Sequence, residues 1–159
     1  MELVVLVGLQ ASGKSTFYRQ RFAATHALVS GDLLRNARNP GWRQAEQIAA
    51  ALRAGRSLVV DNTNPEPSVR AELVDLGRRH EATVTGYYFV PDVRRSLARN
   101  RLREGKARVP DVAIFATVKK LVPPAFAEGF DGLFYVRTGE DMRFEILDWQ
   151  EGPGRSPTG

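Results

Sequence analysis

Apolar residues follow two rhythms along this chain. Unbroken runs such as Leu3-Val4-Val5-Leu6-Val7, Leu58-Val59-Val60 and Leu133-Phe134-Tyr135-Val136 carry no polar position between them. A strand of that kind is covered on both faces, as in a parallel sheet. Other segments place apolar residues three or four apart, the period of a helix with one buried side. The runs predict strands over 2–7, 27–30, 57–60, 83–90 and 133–136, with 144–147 as a candidate sixth strand at an edge. The periodic segments predict helices over 14–21, 43–54 and, through Val69, Leu73 and Leu76, up to about 79. A basic helix is predicted over 92–103. Another opens at Pro110, with Val112, Phe115 and Ala116 as its apolar side. Gly55 is placed to end the second helix, and the Asn-Pro-Gly signals in 36–41 predict a loop.

Strands alternating with helices at this spacing define an α/β fold with a parallel five-stranded sheet and helices on both faces. Ligands in such folds gather at the carboxyl ends of the strands. At 159 residues the chain has the length of one domain. The expected division is a domain over 1–151 and a flexible Gly-, Pro- and Ser-rich tail over 152–159.

The chain has no cysteine, which excludes a disulfide framework and thiolate metal sites. Its first apolar run is too short for a secretory leader and no run approaches a membrane span. A soluble cytoplasmic protein without a membrane partner is expected.

The first strand runs directly into Gly8-Leu9-Gln10-Ala11-Ser12-Gly13-Lys14-Ser15-Thr16. This is the phosphate-binding P-loop pattern in its strand-to-helix setting. Glycines let successive backbone N–H groups converge on phosphate oxygens, and the start of the next helix adds its own anion site. Gly8, Gln10, Ala11, Ser12, Gly13, Lys14, Ser15 and Thr16 are therefore assigned to the phosphates of ATP or another nucleoside triphosphate. Lys14 supplies the mobile cation for the β- and γ-phosphates, and the Ser15 hydroxyl is the Mg²⁺ ligand, partly through water.

Two further strand ends carry chemistry. Asp32, just past the second strand, is placed either to accept a proton from an alcohol or to cap a short helix, and Arg35 follows one turn later. Asp61-Asn62-Thr63-Asn64 ends the third strand, where a carboxylate can organise the Mg²⁺ or the P-loop; an ordinary turn is the alternative.

Charge sharpens the picture by its placement. The formal total is +5, and seven cations, Arg94, Arg95, Arg99, Arg101, Arg103, Lys106 and Arg108, fall within fifteen residues answered by Glu104 alone. That concentration suits polyphosphate or nucleic acid, and predicts an Arg-rich lid over about 92–110 that closes over the donor and keeps water out.

Together these motifs resemble the P-loop polynucleotide 5′-kinase family of phage, animal and bacterial end-healing enzymes, from Gly8 to about Phe130. The P-loop, Asp32-Leu33-Leu34-Arg35, Asp61-Asn62-Thr63-Asn64-Pro65, and Arg99-Asn100-Arg101-Leu102-Arg103 with Arg108-Val109-Pro110 carry the resemblance; Glu128-Gly129-Phe130 adds to it. The resemblance implies transfer of the γ-phosphate of ATP to the 5′-hydroxyl end of DNA or RNA. It makes Lys14, Asp32 and Arg103 catalytic, with Asp32 as general base. Arg99 and Arg103 would hold the donor phosphates and Arg35 the acceptor's 3′-phosphate. Asp61, Asn62, Thr63, Asn64 and Arg70 would complete the acceptor side. Many members fuse the kinase to a phosphatase or ligase; here such activities would come from separate partners. Trp42 is expected to pack on the helix that follows it, with base stacking as the alternative.

A small-molecule kinase acting on a nucleoside, sugar or antibiotic hydroxyl would keep Lys14, Asp32 and the lid but would not need Arg35. A nucleotide-gated switch fits less well, because the Asn-Lys-x-Asp run that reads guanine is absent.

Overall fold

The computed structural model describes residues 1–34 and 38–151, without the side chains of Asp32 and Leu33. The tail expected over 152–159 lies outside the described residues.

Six strands form one sheet: β1 (Glu2–Val7), β2 (Ala27–Ser30), β3 (Leu58–Asp61), β4 (Thr83–Phe89), β5 (Gly132–Thr138) and β6 (Phe144–Asp148). Their order is β2-β3-β1-β4-β5-β6. The first five are parallel and β6 runs antiparallel to β5, with Val136 opposite Ile146. The sheet is thus six-stranded rather than five-stranded. The reason is local: a short turn after β5 returns the chain as an edge strand, which a parallel crossover could not do in so few residues.

Helices α1 (Lys14–Arg21), α2 (Pro40–Arg53), α3 (Pro67–Arg79), α4 (Val93–Arg101) and α5 (Asp111–Lys120) complete the fold. Strand β1 is central and contributes to both cores. Leu3, Val5 and Val7 join Ile48 and Leu52 of α2 and Leu73 and Val74 of α3. Val4 and Leu6 face the other way, with Phe17 of α1, Phe89 and Val136. Phe17 meets Phe89 and Phe144 edge-on at 5.3 and 5.2 Å, so the edge strand β6 closes this second core. Cover on both faces is what the unbroken apolar runs demand.

Three local expectations change. Helix α2 starts at Pro40, whose fixed φ suits a first helical position, so Trp42 belongs to the helix and is 60% exposed instead of packed against it. On α3, Val69 is exposed and the buried stripe is Arg70, Leu73, Val74 and Gly77. On α5 the inward residues are Ile114 and Thr117, while Val112 and Phe115 are 73% and 47% exposed. Both faces of α5 read as apolar, so hydrophobicity alone does not choose between them.

Candidate active site

After β1 the chain crosses to β2 on one side of the sheet, and β4 lies on the other. The P-loop therefore occupies the crevice where strand order reverses. Its backbone is held from two directions. Gly8 N–H donates to the Thr63 carbonyl at 3.0 Å, and Thr138 Oγ1 at the end of β5 donates to the Ser12 carbonyl at 2.7 Å. Gly13, the residue before α1, has φ of +99°, and a Cβ there would lie 3.0 Å from Phe144 and 3.1 Å from Thr138. Only glycine meets both conditions. Ala11 also sits at positive φ, 58°, a strain that the surrounding loop must hold in place.

Lys14 is buried, and its Nζ donates to the carbonyls of Gly8 at 3.1 Å and Leu9 at 2.6 Å. The ammonium thus lies folded over the loop that its helix follows. Ser15 Oγ donates to Asp61 Oδ2 at 2.7 Å. A hydroxyl and a carboxylate are hard oxygen donors of the kind Mg²⁺ takes, usually alongside substrate phosphates and water. These residues fit that ion. Thr16 points elsewhere, its Oγ1 accepting from Arg19 at 3.1 Å.

The run at the end of β3 divides in two. Asp61, Asn62 and Thr63 border a cavity of about 270 Å³ that also touches Gln10, Ala11, Lys14, Ser15, Gly31 and Arg103. Asn62 accepts from Gly31 N–H at 2.6 Å and donates to Gln44 Oε1 at 2.7 Å. It thereby ties the end of β2 and helix α2 to the same rim. The two neighbours diverge: Asp61 reaches Ser15, and Asn62 reaches the β2 side.

Asn64 and Arg70 do not belong to the cavity wall, which corrects the sequence reading. Asn64 is buried, with positive φ of 43°, and donates to the Leu6 carbonyl at 2.8 Å. Arg70 is 0% exposed. It donates to Asn64 O at 3.0 Å and, through Nε and Nη2, to both oxygens of Glu128 at 2.8 and 3.1 Å. All three of its nitrogens donate within the fold, and it has no exposed surface to offer a ligand. The Glu128-Gly129-Phe130 motif has the same structural basis: Glu128 neutralises the buried guanidinium, and Phe130 is buried in the core.

The backbone of Asp32 lies in the 3₁₀ turn Gly31–Leu34, directly after Gly31 on the cavity rim. Arg35 lies outside the described residues.

The basic segment forms a hairpin from α4 to α5, ending as a helix at Arg101 rather than running through Arg103. Arg103 borders the same cavity as Lys14, with Nη1 donating to Ala107 O at 3.3 Å. Arg99 Nη1 donates to Ala11 O at 3.4 Å. Burial first, then the charge of Arg95, pushes the Arg99 guanidinium below its ordinary value, with Asp92 opposing. A guanidinium stays charged regardless. A second hollow, about 310 Å³, lies between Arg95, Ala98 and Arg99 and the turn formed by residues 139–142.

Residues whose role was invisible in the sequence hold this arrangement. Asn100 is buried and reciprocally bonded to Val109, donating to its carbonyl at 2.7 Å and accepting its N–H at 3.0 Å. Across the same base, Arg101 and Asp111 pair at 3.6 Å. The available signal was Ser96 and Asn100, a small polar i,i+4 stripe on an otherwise basic helix, which marks the packed side.

Comparison with known proteins agrees with this architecture. Residues 3–124 match the AAA domain family (AAA_33). The chain is 26% identical to the bifunctional polynucleotide phosphatase/kinase of Schizosaccharomyces pombe over 92% of its own length, and spans about a third (34%) of that protein. Among solved structures, a gluconokinase from Sinorhizobium meliloti 1021 superposes with a TM-score of 0.65 at 17% identity, covering 89% of this chain and 85% of its own. A fungal RNA kinase gives 0.66 at 13% identity, covering 88% and 40%. With the family match spanning most of its length, the chain belongs to the AAA domain family and has the α/β P-loop kinase fold.

Proposed function

We propose that this protein transfers the γ-phosphate of ATP, or another nucleoside triphosphate, to the 5′-hydroxyl of a DNA or RNA strand. The observation that supports the reading is one cavity bordered by Lys14, Ser15 and Arg103, which we assign to the donor, and also by Gly31, Asn62 and Thr63, which we assign to the acceptor. Similarity to the fission-yeast polynucleotide phosphatase/kinase along 92% of the chain supports the polynucleotide acceptor.

Phosphoryl transfer depends mainly on positioning and on neutralising the charge of the moving group. The P-loop N–H groups and Lys14 hold the donor's β- and γ-phosphates. Ser15, with Asp61 behind it, holds Mg²⁺, which when bound offsets negative charge on those phosphates. Asp32 accepts the proton as the acceptor oxygen forms its bond to the γ-phosphorus and the bond to the leaving diphosphate breaks. Arg103 faces the phosphates from the lid, and Arg99 anchors the lid's first leg. The hollow beside Arg99 has room for the donor base. Arg35 grips the acceptor's 3′-phosphate.

The gluconokinase superposes as well as the RNA kinase does, so a small-molecule hydroxyl is the second reading. Labelled ATP with a 5′-hydroxyl oligonucleotide, set against gluconate, other sugars and nucleosides, separates the two. Label on the oligonucleotide with cleavable 5′ linkage is expected. Label on a sugar or nucleoside alone, under every divalent cation tried, rejects the polynucleotide acceptor.

A further inference from the structure

The P-loop grips both legs of the basic hairpin through two adjacent residues. Arg99, on α4, donates to the Ala11 carbonyl at 3.4 Å. Gln10 reaches the other way: its Nε2 donates to Thr117 Oγ1 at 3.0 Å and to the Ala113 carbonyl at 3.4 Å, both on α5. Thr117 is buried and donates in turn to Ala113 O at 3.0 Å. The Gln10 amide therefore joins a polar chain on the side of α5 whose buried residues are Ile114 and Thr117.

Two facts set Gln10 apart from a packing residue. Its carbonyl oxygen Oε1 is buried and has no hydrogen-bond partner among the described residues. An aliphatic side chain of similar size would avoid that penalty. Moreover, α5 is the second leg of a closed unit, because Asn100 fastens α4 to Val109 and Arg101 pairs with Asp111. Moving α5 thus moves the segment that carries Arg103 to the cavity.

We propose that Gln10 is a positioning residue, whose side chain, through Thr117, couples phosphate occupancy of the P-loop to the placement of the Arg-rich lid. Backbone N–H groups of the loop hold the donor; the Gln10 side chain reports its arrival to α5. The proposal rests on the kinase reading of the cavity but not on the identity of the acceptor.

The test compares wild type with Gln10→Leu, Thr117→Val, the double variant and the conservative Thr117→Ser. Three readouts are followed: binding of a non-hydrolysable ATP analogue with Mg²⁺, protection of the lid from trypsin by that analogue, and the ratio of phosphate lost to water to phosphate transferred. The lid is rich in trypsin sites, and protection requires no acceptor. In Gln10→Leu and Thr117→Val, lid protection is expected to fall about tenfold or more, while in Thr117→Val, which lies outside the cavity wall, analogue affinity stays within about threefold of wild type. The hydrolysis-to-transfer ratio rises with it. The double variant is no worse than either single one, as two members of one contact require, and Thr117→Ser keeps wild-type protection. Wild-type protection in Gln10→Leu overturns the proposal, as do additive losses in the double variant or, in Thr117→Val, a fall in affinity as large as the fall in protection. Should Gln10→Leu fail to fold, Thr117→Val decides from the helix side. A protein that shows coupled protection yet phosphorylates no oligonucleotide would reject the acceptor assignment and leave the coupling standing.

Discussion

Ser15 Oγ and Asp61 Oδ2 lie 2.7 Å apart, joining the first turn of α1 to the end of β3. The hydrogen bond aims the hydroxyl and supplies a negative charge behind it. Asp61→Asn keeps an acceptor for Ser15 and removes the charge. Turnover is expected to fall about a hundredfold, with half-saturation by Mg²⁺ shifted upward and metal-free nucleotide binding retained. A Mg²⁺ titration of initial rates checks this; an unchanged titration curve would remove Asp61 from the metal side.

Lys14 and Asp32 are assigned to different substrates, so their removal separates binding from transfer. Lys14→Ala is expected to weaken nucleotide affinity and transfer together. Asp32→Ala is expected to leave affinity within about threefold while lowering transfer by about 10²–10⁴-fold, the range for loss of a general base. Equilibrium binding beside single-turnover rates reads both. Near-normal transfer by Asp32→Ala would require a different base.

Arg70 and Glu128 form an ion pair with the guanidinium wholly enclosed and the carboxylate partly buried. Glu128→Ala leaves that charge without its partner, and a loss of about 3–5 kcal/mol in unfolding free energy is expected. Urea denaturation measures it. At a temperature where the variant is folded, its nucleotide affinity is expected to match wild type. A stable variant with impaired acceptor binding would restore Arg70 to the site.

The outward face of α5 offers a stability contrast within one helix. Phe115→Ser is expected to change unfolding free energy by no more than about 0.5 kcal/mol, whereas Ile114→Ala should cost about 2–5 kcal/mol. Equal losses in urea melts would mean that the helix is rotated relative to the orientation described.

Much of the sheet was legible because burial on both faces leaves a plain mark. A strand such as β1, whose alternate residues enter two different cores, must be apolar throughout. The P-loop was legible for a different reason: phosphate binding by backbone requires glycine at a position such as Gly13, where positive φ and close neighbours exclude a side chain. Helix faces were less legible. Val112, Phe115, Ile114 and Val118 give α5 apolar residues on every side, and only the packing partner selects one.

Local sequence by itself determined the α/β class, the phosphate loop and the crowding of cations between Arg94 and Arg108, because each follows from short-range periodicity or spacing. It also placed Asp61 at a strand end. What it did not determine was the division of labour among neighbours that look alike. Asp61 reaches Ser15, Asn62 reaches Gly31 and Gln44, and Asn64 turns into the core towards Leu6. Arg70 reads as one more cation on a helix, yet it is sealed against Glu128, 58 residues away. Those outcomes depend on contacts between distant segments, and only the tertiary structure sets which donor meets which acceptor.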